Sequence, residues 1–78
     1  MPHISVKMLK GRTEEQKERL AKALCETMEK ELGTLRTHIS VAVEDFTAEE
    51  WQKVFKEEVS DKPATMRIYP DYDPKDLL

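Results

Sequence analysis

The sequence contains a single cysteine, Cys25, so no disulfide can form within the chain. Its two histidines, His3 and His38, do not stand at zinc-site spacing from that cysteine, and we expect no metal or other cofactor. No apolar run is long enough for a signal peptide or a membrane span, which makes the cytoplasm the expected location.

Neither sign of charge dominates the sequence. The net charge is −3, acidic and basic residues are interleaved, and no basic patch recurs with aromatic residues between. This pattern argues against nucleic acid as a partner, and nothing in the chain indicates a membrane partner. Seventy-eight residues predict one domain, spanning 1–78, whose own core is marginal, and association with a second copy is the usual remedy.

The first twelve residues carry the most distinctive pattern. Residues 4–8 alternate between apolar and polar side chains, which predicts a half-buried strand. Gly11 then turns the chain, and Arg12 stands just before a helix. If Met1 is removed, Pro2 becomes the N-terminus and carries a secondary amine, which is a base fixed at the head of the strand.

Two helices and a second strand follow. A capping box at Thr13–Gln16 and a terminator at Gly33 predict a helix from about Glu14 to Leu32. Alternation over His38–Glu44 predicts a second strand, giving a βαβ unit with a cross-strand pair between Lys7 and Glu44. A second capping box predicts a short helix over Ala48–Val59, after which Thr65–Tyr69 reads as a short strand and the remainder as loop.

A two-stranded parallel sheet has two open edges and is not stable alone. Edge-to-edge pairing with a second copy gives four strands and one shared core. We therefore expect a homodimer.

The position of Pro2, the segment Leu9–Glu18 and the strand–helix–strand order together resemble the tautomerase superfamily, in its small 4-oxalocrotonate tautomerase-like members. The resemblance covers roughly the first two thirds of the chain and implies an α+β fold of that type. It implies that Pro2 is the catalytic base, which shuttles a proton between the oxygen and the carbon of an enol. It further implies that Arg12 binds the substrate carboxylate and that Trp51 forms an apolar wall beside the proline.

Ser40 departs from the family pattern, because many members carry an arginine at this strand position that polarises the substrate carbonyl. A serine donates one neutral hydrogen bond only, which disfavours a dicarboxylate substrate. The comparison shifts toward the phenylpyruvate tautomerase-like branch, which also has a C-terminal helix containing tryptophan. That helix takes the place of the hairpin that helps to assemble hexamers, so a dimer is favoured over a hexamer.

The sequence thus predicts a cofactor-independent keto–enol tautomerase acting on a 2-oxo or 2-hydroxy-enoic monocarboxylate such as phenylpyruvate. Pro2 is the predicted catalytic residue, and Arg12, Ser40 and Trp51 are the predicted substrate-binding residues. Two alternatives stay open: a non-catalytic dimeric interaction module, and a dehalogenase or hydratase of the same superfamily.

Overall fold

The computed structural model describes residues 1–78 as two compact units, Met1–Asp45 and Phe46–Leu78. The elements follow one another in the order β–α–β–α with three short helical turns between and after them. This is the predicted α+β fold, with a two-stranded sheet that remains incomplete within one chain. No helix is both long enough and apolar enough to cross a membrane.

Two parallel strands form the sheet: β1 (His3–Leu9) and β2 (Ser40–Phe46). The side-chain pairs His3–Ser40 and Lys7–Glu44 both join residues 37 positions apart, and this constant offset requires parallel strands. The predicted Lys7–Glu44 pair is confirmed, with Nζ donating to Oε1 at 2.9 Å.

The second strand starts and ends two residues later than the predicted span His38–Glu44. The cause is a 3₁₀ turn over Arg36–His38, which precedes the strand. Within it, the His38 N–H donates to the Leu35 carbonyl and the Ile39 N–H to the Arg36 carbonyl. These backbone groups are satisfied locally and do not pair with β1.

Helix α1 (Glu14–Leu32) begins and ends at the predicted residues. At its start, the Gln16 N–H donates to Thr13 Oγ1 at 3.1 Å, while the Thr13 N–H donates to Gln16 Oε1 at 2.8 Å. At its end, Gly33 adopts a left-handed φ of 64° and donates its N–H to the Glu29 carbonyl. Both ends are fixed by side chains or conformations that the sequence itself specifies.

The apolar residues of the first unit are only partly shielded. The alternating side chains of both strands and the stripe of α1 are half-buried, and no residue in the chain is fully buried. Leu32 and Leu35 remain 64% and 65% exposed. A chain with so little buried apolar surface gains little stability from its own core.

The second unit is built on α2 (Ala48–Phe55), which a π-helical turn extends through Lys56–Ser60. The predicted capping box at its start is present, with Thr47 and Glu50 exchanging hydrogen bonds at 2.8 and 3.1 Å.

The predicted strand Thr65–Tyr69 is wrong, because local bonds shape this segment as a loop. The Thr65 N–H donates to the Lys62 carbonyl, and the Tyr69 hydroxyl donates to the Pro63 carbonyl at 3.1 Å. The end of the chain, predicted as loop, contains a 3₁₀ turn over Pro74–Leu77.

Candidate active site

Pro2 lies at the head of β1 and is half-buried. Its carbonyl accepts a hydrogen bond from the Ser40 N–H at 3.2 Å, so the first residue of β2 fixes the backbone of Pro2. Met1 is 92% exposed. While Met1 is attached, the Pro2 nitrogen is an amide without basicity, and removal of Met1 converts it to a secondary amine.

The side chain of Ser40 contacts His3, the residue next to Pro2. Ser40 Oγ and His3 Nδ1 are 2.6 Å apart, and both side chains are exposed. The sequence indicates only that His3 is exposed at a strand start, because a contact across 37 residues depends on strand register. The structure thus brings Pro2, His3 and Ser40 together at one end of the sheet.

Arg12 lies beyond the opposite end of β1. Gly11, with φ of 127°, turns the chain there, and Arg12 Nη1 donates to the Leu9 carbonyl at 3.3 Å. At a strand rise of about 3.3 Å per residue, Leu9 is about 23 Å from Pro2. Within one chain, Arg12 and Pro2 therefore cannot hold the same small substrate.

An ion pair links the start of α1 to the end of β2, near Arg12. Lys17 Nζ donates to Asp45 Oδ2 and, at 3.1 Å, to Glu14 Oε1. The hydrogen bond to Asp45 is the main cause that raises the pKa of Lys17, and the bond to Glu14 adds to it. Asp45 Oδ1 is buried without a hydrogen-bond partner. The pair holds the two elements together next to the turn that carries Arg12. No local pattern predicts it, because Lys17 and Asp45 are 28 residues apart.

Trp51 belongs to the second unit and is half-buried on α2. Its ring lies 6.4 Å from that of Phe46, the residue before the N-cap, so the two side chains form a hydrophobic staple at the start of the helix. Its indole N–H donates to the Tyr72 hydroxyl at 2.9 Å, and Tyr72 meets Phe55 edge-on at 5.5 Å. Sequence alone could not place Tyr72, which proves to be the contact that ties the end of the chain to α2.

The comparison with family models decides the classification. A model described as tautomerase enzyme matches residues 2–57, which is most of the chain. The chain belongs to the tautomerase family. The match begins at Pro2 and includes Arg12, Ser40 and Trp51.

Curated tautomerase relatives cover much of the chain. It is 37% identical over 73 residues to a probable tautomerase of Xylella fastidiosa (strain 9a5c), covering 92% of this chain and 89% of the relative. It is 40% identical over 47 residues to a probable tautomerase of Bacillus cereus, covering 60% of this chain and 77% of the relative.

Solved structures of 4-oxalocrotonate tautomerase homologues share the fold. TomN, a homologue in the tomaymycin biosynthetic pathway, superimposes with a TM-score of 0.62 at 34% identity, covering 64% of this chain and 77% of TomN. YwhB superimposes with a TM-score of 0.61 at 35% identity, covering 63% of this chain and 80% of YwhB. The predicted family and fold are therefore confirmed, while the roles of individual residues stay predictions.

Proposed function

We propose that this protein is a cofactor-independent keto–enol tautomerase that acts on a 2-oxo or 2-hydroxy-enoic monocarboxylate such as phenylpyruvate. The observation that carries the proposal is the position of Pro2. It stands at the head of a strand, its carbonyl is held by the Ser40 N–H, and the family match starts at this residue.

In the proposed reaction, the neutral Pro2 amine takes the proton of the enol hydroxyl and delivers it to the adjacent carbon. The product is the 2-oxo acid, and the amine returns to its neutral form. The amine must be neutral to act as a base, and its charged form is disfavoured by the half-burial of Pro2 and by the guanidinium that a second copy of the chain supplies. General acid–base transfer of this kind contributes about 10²–10⁴-fold to a rate.

A second copy of the chain completes the proposed site. In a symmetric dimer, antiparallel pairing of the two β1 strands lays the start of one strand beside the end of the other. Arg12 of one chain then lies near Pro2 of its partner and binds the substrate carboxylate with two parallel hydrogen bonds. This arrangement resolves the distance that separates the two residues within one chain, and it closes one open edge of each sheet.

Ser40 sets the proposed preference for monocarboxylates, because its hydroxyl is uncharged. It lies at the same end of the sheet as Pro2, where it can donate to the 2-oxo oxygen. Trp51, held by Phe46 and Tyr72 within its own unit, is the proposed apolar wall. In this proposal Ser40→Arg raises the specificity constant for dicarboxylates relative to that for monocarboxylates.

Ketonisation of phenylenolpyruvate, followed by ultraviolet absorbance, tests the proposal once intact mass has shown that Met1 is absent. Adding a residue ahead of Pro2 should abolish nearly all activity, whereas Pro2→Ala keeps a primary amine in place and should lose only part. Arg12→Ala should raise the Michaelis constant, and the matched control Arg67→Ala, at an exposed arginine outside residues 2–57, should not.

Undiminished ketonisation by the blocked protein would contradict the role of Pro2. A protein with a free Pro2 amine and no activity would instead favour the interaction module. Size measurement by light scattering tests the dimer, and a stable folded monomer would contradict the shared site.

A further inference from the structure

The first pair of side chains across the two strands is His3 and Ser40. His3 Nδ1 and Ser40 Oγ are 2.6 Å apart, which is a short hydrogen bond. The backbone of Ser40 holds the carbonyl of Pro2 at the same time. Alternation along β2 places Ser40 on the sheet face opposite Asp45, the residue that meets Lys17 of α1, so helix α1 does not cover this pair.

A serine hydroxyl has one proton, and His3 decides where that proton points. When Nδ1 is unprotonated, it accepts the Ser40 O–H, and Ser40 has no proton left for a ligand. When Nδ1 carries a proton, it donates to Oγ and leaves the Ser40 O–H free to donate elsewhere. The state of His3 therefore switches Ser40 between a satisfied hydroxyl and a hydrogen-bond donor.

We propose that His3 is a positioning residue whose Nδ1–H turns the Ser40 hydroxyl toward the 2-oxo oxygen of the substrate. This inference rests on the proposed tautomerase function. Negative charge develops on that oxygen during proton transfer, and a donor fixed in advance stabilises it. A bond from an imidazolium to Oγ strengthens the effect, because a hydroxyl that accepts a bond donates a stronger one.

Other charged groups near His3 are already paired or lie farther along the sheet. Lys7, four residues along β1 and about 13 Å away, is bonded to Glu44 of β2. Arg36, in the turn before β2, is bonded to Glu29. The titratable groups that lie next to this pair along the chain are the N-terminal amine and His38.

Substitutions at position 3 distinguish a side chain that donates a hydrogen bond to Ser40 Oγ from one that only accepts a hydrogen bond from it. His3→Asn keeps a donor close to the position of Nδ1 and should retain most of the turnover number. The aspartate of His3→Asp can only accept a hydrogen bond, so it holds the Ser40 O–H and keeps it from the substrate. The turnover number should then fall up to tenfold, which is roughly the contribution of one neutral hydrogen bond, with little change in the Michaelis constant. Ser5→Asp is the control, because it adds a carboxylate to the same strand face without reaching Ser40.

Coupling to Ser40 gives the second readout. In a Ser40→Ala background, His3→Asn and His3→Asp should have equal turnover numbers, because no hydroxyl remains to be turned.

Nitrogen-15 NMR of the imidazole rings tests the contact between His3 and Ser40 without a measurement of catalysis. Ser40→Ala should shift the ring nitrogens of His3 and leave those of His38 unchanged. Equal turnover of His3→Asn and His3→Asp in an active protein would overturn the inference and leave the proposed function standing. Absence of ketonisation in the unaltered protein with a free Pro2 amine would overturn both.

Discussion

Tyr72 anchors the end of the chain to α2, and its loss should release that segment. The anchor has two parts: the bond from the Trp51 indole N–H at 2.9 Å, and the edge-on contact with Phe55 at 5.5 Å. A second hydrogen bond, from Gln52 Nε2 to the Pro74 carbonyl at 2.8 Å, also ties the end of the chain to α2. Because Trp51 is the only tryptophan, the fluorescence of the protein reports on the surroundings of this one residue.

The magnitudes follow from what each substitution removes. Tyr72→Phe removes only the exposed hydrogen bond, which costs about 0.5–1 kcal/mol and raises the population of the released segment about two- to fivefold. Tyr72→Ala also removes the ring contact, worth about 0.5–1.5 kcal/mol. Tyr72 is 44% exposed, so the ring also loses roughly 100 Å² of shielded surface, or about 2.5 kcal/mol.

Amide hydrogen exchange of Asp76 and Leu78 provides the assay, since both amides are bonded within the 3₁₀ turn that follows Tyr72. Exchange should accelerate in the order Tyr72→Phe, then Tyr72→Ala, and Trp51 emission should move to longer wavelength in the same order. Tyr69→Phe is the matched control, because Tyr69 bonds Pro63 and should leave both readouts unchanged. Equal exchange in Tyr72→Ala and in the control would refute the assignment of Tyr72 as the anchor.

Two further predictions concern stability. Gly33→Ala should lower the free energy of unfolding by about 1 kcal/mol, because alanine disfavours a φ of 64° even though its Cβ meets no atom within 4 Å. The urea midpoint of unfolding measures this change, and an unchanged midpoint would contradict it. The pKa of Lys17 is raised above 10.5, chiefly by the hydrogen bond to Asp45, so its stabilising effect is complete below that pH and is lost as pH rises through the raised value. Lys17→Met should therefore flatten the alkaline decline in urea midpoint, and an identical decline in both proteins would count against the ion pair.

The elements that sequence predicted well are those specified locally. Helix α1 starts at a capping box and stops at Gly33, and both signals lie within a few residues of the boundary they set. The predicted span of β2 lies two residues too early, because an alternating pattern fits either position. Only the competing turn Arg36–His38 fixes its start.

What sequence could not predict depends on register or on a missing neighbour. The contact of His3 with Ser40 exists because β1 and β2 pair with an offset of 37 residues, which no local pattern encodes. Thr65–Tyr69 has strand-forming residues, but its local bonds close a loop and no strand pairs with it in one chain. The match of Pro2 to the family pattern could be recognised from the sequence, because it depends only on the order of residues along the chain.

The length of β1 has a genetic consequence. If the base of one site and the arginine of the same site come from different chains, every polypeptide contributes to two sites. A chain with a blocked Pro2 still donates Arg12 to its partner, and a chain without Arg12 still donates its base. Mixing two such inactive proteins in equal amounts would restore about a quarter of the sites, since half of the symmetric dimers become hybrids with one intact site each.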